Sequence, residues 1–558
     1  MGDWFEKVTL GEALDRTAAR FGTREALMFA DRRWSFQELQ ADCDRAARGL
    51  LHCGIQPGEH VSLWLPNRPE WLHAMFAVAK IGAVLVPINT RFRTHDLEYV
   101  LRQSDSTTLI TVDRSGPIAY LDMVRELIPE LDASPDPQAC LRTAAFPALR
   151  RVIVVSPQSY PGTLRWDDVV ASGNAVPAEH LYARQRAVDP DATTLIMYTS
   201  GTTGFPKGVM HNHNVLRNVT DEANRMAVRV TDVILMYLPL FHAFGLYEGP
   251  LMSVVTGARQ VLMEQLDPGT ALRLIASERA TMIHGFDTHF HDMMAHPDCA
   301  QTDRSSLRIG LLAAGLASSE PVARQAQRLL CPTVSGWGMT EVGVGATLGY
   351  PTDSEDDRCL ASGAVLPGYE FKIINPATGQ TLPPDMPGEL CCRGYGVMQG
   401  YYKKPAETAQ AIDPEGWLHS GDMATMREDG TMRFLGRYKE MLKIGGENVD
   451  PVEVEALLLQ HPAVSQVKVV GVPDARLQEV ACACVVLRPG AQVEPEALLA
   501  SCRGQIASFK IPRHVLFMKE YPMTSSGKVQ KLKLRDLSIE ALGIAAAADD
   551  PLLRKDPA

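Results

Sequence analysis

Residues 199–208 read Thr199-Ser200-Gly201-Thr202-Thr203-Gly204-Phe205-Pro206-Lys207-Gly208. Small hydroxyls, glycines that turn tightly and one lysine are what a loop needs to wrap a polyphosphate with backbone N–H groups and a cation. The loop follows Thr194-Leu195-Ile196-Met197-Tyr198, a short apolar run that predicts a buried strand. It is not a Walker A loop, because no Gly-Lys-Ser/Thr follows at the required spacing. The glycines alone would fit a flexible surface loop, but the ordered hydroxyl-glycine-lysine string argues for phosphate.

Four further stretches carry groups suited to nucleotide chemistry. Gly336-Trp337-Gly338-Met339-Thr340-Glu341 offers an aromatic for a purine, a hydroxyl for a phosphate and a carboxylate for Mg²⁺. Read alone, it is also compatible with an ordinary turn. Trp417-Leu418-His419-Ser420-Gly421-Asp422 ends in a carboxylate whose two acceptor oxygens suit a ribose diol, and Gly436-Arg437 lies downstream. Leu442-Lys443-Ile444-Gly445-Gly446-Glu447-Asn448-Val449 predicts a glycine turn before a helix near Pro451. Pro522-Met523-Thr524-Ser525-Ser526-Gly527-Lys528 sets a lysine at the tip of a Gly-Ser loop.

Together, in this order, these stretches resemble the adenylate-forming enzymes: acyl-CoA synthetases, adenylation domains of peptide synthetases and firefly-type luciferases. The resemblance covers nearly the whole chain. It implies that Thr199, Ser200, Gly201, Thr202, Thr203, Gly204 and Lys207 grip the ATP phosphates. Gly315, in Ala313-Ala314-Gly315-Leu316-Ala317, lines the adenine pocket. Trp337 and Gly338 lie against adenine, Thr340 contacts the α-phosphate and Glu341 binds Mg²⁺. Asp422 and Arg437 hold the ribose. Lys439 occupies a hinge position at which many members carry Asp. Lys443, Gly445, Gly446 and Glu447 belong to the loop that enters the site for thioester formation, where glycines admit a thin pantetheine arm. Lys528 is the catalytic lysine, apt for charge at a pentavalent phosphorus. The expected catalytic set is Lys528, Thr340, Glu341 and His242.

The same resemblance points to the acid. Leu238-Pro239-Leu240-Phe241-His242-Ala243-Phe244-Gly245 corresponds to the motif bordering the acyl pocket. Amino-acid-activating relatives usually carry Asp near its start, and here the segment is apolar. The second expected pocket segment contains His284, Gly285 and Phe286, followed by Asp287, which either faces the pocket or a neighbouring helix. Overall patterning looks most like the medium-chain fatty acyl-CoA synthetase branch, with small aryl or branched acids left open. The resemblance implies ATP-dependent acid–CoA ligation through an acyl-adenylate, with ATP, Mg²⁺ and CoA. Alternatives are an acyl-AMP ligase loading a carrier protein, a luciferase-like oxygenase and a non-catalytic nucleotide-binding relative. A homodimer is expected by analogy.

The elements that must position these residues follow from pattern and size. At 558 residues the chain exceeds one ordinary core. Strand-like Val61–Leu65, helical Glu70–Ile81 and strand-like Ala83–Pro87 alternate, as do Ala258–Met263, helical Thr270–Ala280 and Met282–Gly285. Such alternation predicts parallel sheets covered by helices. Residues 116–149 read as a surface excursion with a helical piece over 119–131. The pattern changes near Arg437-Tyr438-Lys439-Glu440. The expected class is therefore α/β, with a large N-terminal domain of helix-covered sheets (1–437) and a small α+β domain (438–558), which the resemblance implies is a mobile lid.

Composition excludes several classes. The chain is 46% hydrophobic and 22% charged, as globular proteins are. A net charge of −11 argues against nucleic acid as a partner. No apolar run approaches the roughly 18 residues that would span a bilayer. Met1–Glu6 lacks the basic start and apolar stretch of a signal peptide. Eleven cysteines without a Cys-x-x-Cys pair predict reduced, mostly core thiols and a cytoplasmic setting. His211-Asn212-His213 and His289-Phe290-His291 are left unassigned.

Overall fold

The computed structural model describes residues 5–133, 140–199, 206–313, 319–444, 447–474, 477–503, 505–506, 508–524 and 527–544. The alternation in the first third builds an eight-stranded sheet. Its order is Gly400–Tyr401, Lys207–Asn212, Thr193–Thr199, Val84–Pro87, His60–Trp64, Thr108–Val112, Arg151–Val155, Leu164–Arg165. From Thr193–Thr199 through Leu164–Arg165 the strands run parallel, and both pairings involving Lys207–Asn212 are antiparallel. Thr108–Val112 is buried at every position, as an interior parallel strand must be.

The helix Pro69–Lys80 is apolar nearly all round and correspondingly buried nearly all round, with proline at its first position, where a missing N–H costs nothing. Its last residue, Lys80, is fully buried and is neutralised by Asp15 and by Asp44 at 2.6 Å. A buried ammonium persists only when so paired. The helix Phe36–His52 begins with a reciprocal cap: Ser35 Oγ accepts from Glu38 N, and Glu38 Oε2 accepts from Ser35 N.

A second, seven-stranded sheet has the order Thr333–Val334, Ile309–Leu312, Met282–Gly285, Val233–Met236, Arg259–Leu262, Glu25–Phe29, Arg32–Ser35. All its pairings are parallel except the last. A third sheet departs from the expected alternation. Tyr369–Ile374, Gly388–Gly394, Leu418–Met426 and Met432–Arg437 form an antiparallel meander, closed by tight turns such as the one at Asp429-Gly430. The stretch 116–149 also differs from a surface excursion. Tyr120, Leu121, Val124, Ile128 and Leu131 enter the main core, and the Tyr120 ring meets Trp64 edge-on at 4.6 Å. The helix there is Tyr120–Leu127, ended by the approach of Pro129, with the short Glu130–Ala133 after it.

One apolar core runs from Val8 to Met432. A separate one runs from Leu442 to Leu534. Between them lies the single 3₁₀ turn Tyr438–Glu440. The smaller unit pairs Gln478–Leu487 with Val464–Asp474, with Leu442–Ile444 and, in parallel, with His514–Phe517. The helices Pro451–Leu458 and Lys531–Ala541 complete its α+β build. The overall class is thus the expected large α/β domain followed by a small α+β domain.

Candidate active site

A cavity of about 2300 Å³ opens between the two units, lined by both. It is larger than the roughly 300–1,000 Å³ of a pocket for one small ligand, and suits several substrates side by side.

Thr199 ends one strand and Lys207 begins the next, and the two residues pair directly in an antiparallel hairpin. Both residues line the cavity. Ser200, Gly201, Thr202, Thr203 and Gly204 lie outside the described residues, as does Gly315. Lys207 Nζ stands 4.7 Å over the Tyr401 ring.

Tyr401 in turn donates its hydroxyl to Glu341 Oε1 at 2.9 Å, so one oxygen of the expected metal-binding carboxylate is already fixed. The Glu341 carbonyl accepts from Met398 N at 2.8 Å. The preceding carbonyl, of Thr340, is held by His211 Nε2 at 2.6 Å. Burial pushes His211 down to about 4, so it is neutral and donates from Nε2. Gly338 is required in this turn: a Cβ there would fall 1.6 Å from the Val344 carbonyl oxygen.

Asp422 and Arg437 face each other in register across the meander's last two strands. Arg437 Nε reaches Asp422 Oδ1 at 3.2 Å, and Trp337 Nε1 donates to Asp422 Oδ2 at 2.8 Å. Burial raises the Asp422 carboxyl, and the Arg437 cation and the indole N–H oppose that rise. Trp337 is itself buried, its indole edge turned to this carboxylate. These three residues line the cavity together.

From the smaller unit, Lys528 projects into the same space, with Nζ 4.6 Å over the Phe286 ring. Solvent reaches the ammonium through the cavity, while protein atoms crowd it from the remaining sides. That crowding, then the Arg437 cation, pushes Lys528 down to about 8, against the pull of Asp422, Glu440 and Asp287. Its loop is pinned to the large unit: Thr288 Oγ1 donates to the Gly527 carbonyl at 2.8 Å, and Arg91 Nη1 donates to the Met523 carbonyl at 2.7 Å. Gly527 has φ +83°, and a Cβ there would meet His289 Nε2 at 2.4 Å.

The acyl-side residues divide. Phe241, His242 and Phe286 line the cavity. His242 Nδ1 caps the short helix Ala243–Leu246 by accepting from Phe244 N at 3.2 Å. Burial and then the Lys528 cation push His242 down to about 3, leaving it neutral. His284 and Gly285, expected in the pocket wall, lie instead on the interior strand Met282–Gly285 and do not line the cavity. His284 is fully buried, and burial pushes it down to about 3. The strand is buried at every position, as interior parallel strands covered on both faces are, so neither residue opens onto the cavity.

Lys443 and Glu447 sit on the paired strands Leu442–Ile444 and Glu447–Val449. Gly445 and Gly446 lie outside the described residues. Lys439 is the middle residue of the 3₁₀ turn between the two cores.

Several site residues carried no motif. Tyr401 and His211 reach the 336–341 turn from 60 and 129 residues away. His289 accepts from Phe286 N at Nδ1, 3.0 Å away, and its Nε2 lies against Gly527 of the lysine loop. His213 is structural, its Nδ1 accepting from Leu10 N at 3.0 Å. The structure also brings Glu389, Cys391 and His419 together.

Comparison with known proteins gives concordant matches. A family model described as "AMP-binding enzyme" matches residues 14–402, and one described as "AMP-binding enzyme C-terminal domain" matches residues 453–528. YngI of Bacillus subtilis (strain 168), named as an acyl-CoA synthetase, is 41% identical over 543 residues, covering 97% of this chain and 98% of YngI. The mitochondrial medium-chain acyl-CoA ligase ACSF2 of Rattus norvegicus is 36% identical over 541 residues, covering 95% of this chain and 87% of its own. Among solved structures, the anthranilate CoA ligase AuaEII in complex with anthranoyl-AMP superposes with a TM-score of 0.82 at 26% identity, covering 96% of this chain and 98% of that one. ATP-bound MatB from Rhodopseudomonas palustris gives 0.81 at 25% identity, covering 96% and 100%.

Proposed function

The chain belongs to the AMP-binding enzyme family, and from that premise we propose that this AMP-forming acyl-CoA ligase activates a medium-sized carboxylic acid with the residues gathered around the cleft between its two units. The observation carrying the assignment of residues is convergence. Lys207, Glu341, Asp422 and Arg437 from the large unit and Lys528 from the small one line a single cavity.

In the first half-reaction a carboxylate oxygen attacks the α-phosphorus of ATP. The new O–P bond forms as the bond to pyrophosphate breaks. Lys528 supplies a cation where negative charge builds on the phosphoryl oxygens. Lys207, paired with Thr199 at the strand ends, meets the leaving phosphates, and Thr340 meets the α-phosphate. Asp422 accepts from the ribose diol, steadied by Arg437 and Trp337, with the indole beside the adenine. Glu341 has one oxygen engaged by Tyr401, so it fits Mg²⁺ as a single protein ligand beside substrate phosphates. Bound there, Mg²⁺ would neutralise phosphate charge. His242, neutral beside Lys528, offers a polar edge to the carboxylate without competing for it.

In the second half-reaction the thiol sulfur of CoA attacks the acyl carbon. The thioester bond forms, the acyl–AMP bond breaks and the thiol proton is released. We assign this step to a rotation of residues 438–558 relative to 1–437 about Lys439. The rotation withdraws Lys528 and brings in the loop of Lys443, Gly445, Gly446 and Glu447. The docked Lys528 loop fits the adenylating arrangement, which keeps water from the mixed anhydride.

A cytoplasmic setting is part of the proposal. Its support is the eleven free cysteines, nine of them buried, which suit a reducing compartment. Among the described residues no helix is long and apolar enough to cross a membrane. A homodimer is proposed by family analogy alone, and light scattering tests it.

The deciding experiment is pyrophosphate release with Mg·ATP across straight-chain, branched and aryl acids, with and without CoA. Turnover that requires an acid and is accelerated by CoA supports the ligase with medium-sized acids. Release indifferent to CoA would move the acceptor to a carrier-protein thiol.

A further inference from the structure

The apolar motif at the acyl side conceals two carboxyl groups. Glu222 lies on the helix Val215–Arg225, and Glu248 lies in the π-helical turn Tyr247–Leu251 that continues from Phe241 and His242. Single π-turns inside helices are uncommon and often found at functional sites. Glu222 is 2% exposed and Glu248 0%, yet both line the cavity, next to Phe244 and Gly345. The fit is close: a Cβ on Gly345 would fall 2.3 Å from Glu222 Oε1.

A buried carboxylate ordinarily has a cation or several donors. Here the Gly345 N–H is within reach of Glu222, but Glu222 Oε2 and both Glu248 oxygens have no donor outside the pair itself among the described residues, and neither residue forms a salt bridge there. The nearby Tyr247 hydroxyl is likewise unpartnered. Burial raises both carboxyls, and the proximity of each to the other leaves the pair holding a proton between them. The neighbouring Asp221 is different, since it accepts from the Tyr395 hydroxyl at 2.6 Å. A pocket for an unsubstituted hydrocarbon tail gains nothing from such a pair and bears the full desolvation cost of its unsatisfied polar groups.

We propose that Glu222 and Glu248 form the recognition end of the acyl pocket, and that the acid activated here carries a hydrogen-bond donor (hydroxyl, amide N–H or ammonium) remote from its carboxylate. This rests on the ligase reading above and specifies its substrate. The acceptor lone pairs that the shared proton leaves open receive the tail donor, while Lys528 receives the reacting carboxylate at the other end. A site built to accept a donor rejects the analogue lacking it, because its own buried groups are left unpaired. A second carboxylate at the tail is disfavoured by like charge.

The test measures acid-dependent pyrophosphate release in the presence of CoA. The probes are hexanoic, octanoic and decanoic acids and their ω-hydroxy, ω-amino and dicarboxylic counterparts. At one length or more, the hydroxy or amino acid is expected to exceed its parent by about tenfold or more in kcat/KM. In Glu248→Leu that ratio should fall at least tenfold, and the melting temperature should rise, because an unsatisfied buried carboxyl has been removed. Glu248→Gln separates the donors: a hydroxyl preference survives it, and an ammonium preference does not. Plain acids preferred at every length, or a ratio unchanged in Glu248→Leu, would overturn this assignment and leave the ligase reading standing. No release with any acid would overturn the ligase reading, and this one with it.

Discussion

In the proposed mechanism Lys528 acts as a cation held where a cation is uncomfortable. Crowding and the Arg437 guanidinium push it down to about 8, while Asp422, Glu440 and Asp287 restrain the fall. Lys528→Ala should slow adenylation by about 10²–10³-fold or more. Conversion of synthetic acyl-AMP and CoA to thioester should stay near wild type. Pyrophosphate release and thioester formation, assayed separately, check this, and a parallel loss of both would remove Lys528 from the first step. The lowered value also fixes a sign. The ammonium is charged well below 8 and loses its proton as pH rises through that value. The kcat/KM for adenylation should therefore fall above pH ~8, by up to tenfold per unit. Because bound ATP favours the charged form, the limb in kcat should lie at higher pH. Lys528→Arg keeps its charge and should flatten the limb, whatever its absolute rate. A limb unmoved in Lys528→Arg would assign the titration to another group.

At the scale of elements, the motifs were legible because each is local: a loop, a turn or a strand end within about ten residues. Alternation of strand and helix was legible for the same reason, and the strands His60–Trp64 and Met282–Gly285 fall where the pattern puts them. What the pattern did not announce needed long-range pairing. The antiparallel meander sets Asp422 opposite Arg437, a register fixed by turns and a bulge rather than by either residue's neighbours. Tyr401 comes to Glu341 only because the short strand Gly400–Tyr401 adds to the edge of the Lys207–Asn212 strand. The Glu222–Glu248 pair was hidden by a helix and a π-turn that meet across the fold. The stretch 116–149 misled through its prolines and acidic residues, although every third or fourth residue of its helix is apolar and buried. One element invites a direct test. Gly527 combines φ +83° with His289 beneath it. Gly527→Ala should lift the lysine loop and reduce adenylation about tenfold or more, at an ordinary cost in stability of roughly 1 kcal/mol or above. The thioester step, measured from acyl-AMP, should suffer less, and equal losses would mean that the loop serves both steps.

At the scale of the whole molecule, the large and small units meet, among the described residues, through polar pins and a cation on a ring, and their apolar cores stay separate. Thr288 to Gly527, Arg91 to Met523 and Lys528 over Phe286 are contacts that can be exchanged for others at modest cost. The covalent link is the one turn Tyr438–Glu440. Lys439→Pro, which removes an N–H and fixes φ in that turn, should spare pyrophosphate release and impair thioester formation. Similar losses in both would count against domain alternation. The separation of the two apolar cores, one ending at Met432 and the other beginning at Leu442, has a calorimetric consequence as well. With little hydrophobic surface shared, the units have little reason to melt together, and the unliganded protein should show two overlapping endotherms whose calorimetric enthalpy exceeds the van't Hoff value. A non-hydrolysable acyl-AMP analogue, touching Asp422 on one side and Lys528 on the other, binds only when both units are folded. It should draw the two endotherms into one and raise it with ligand concentration.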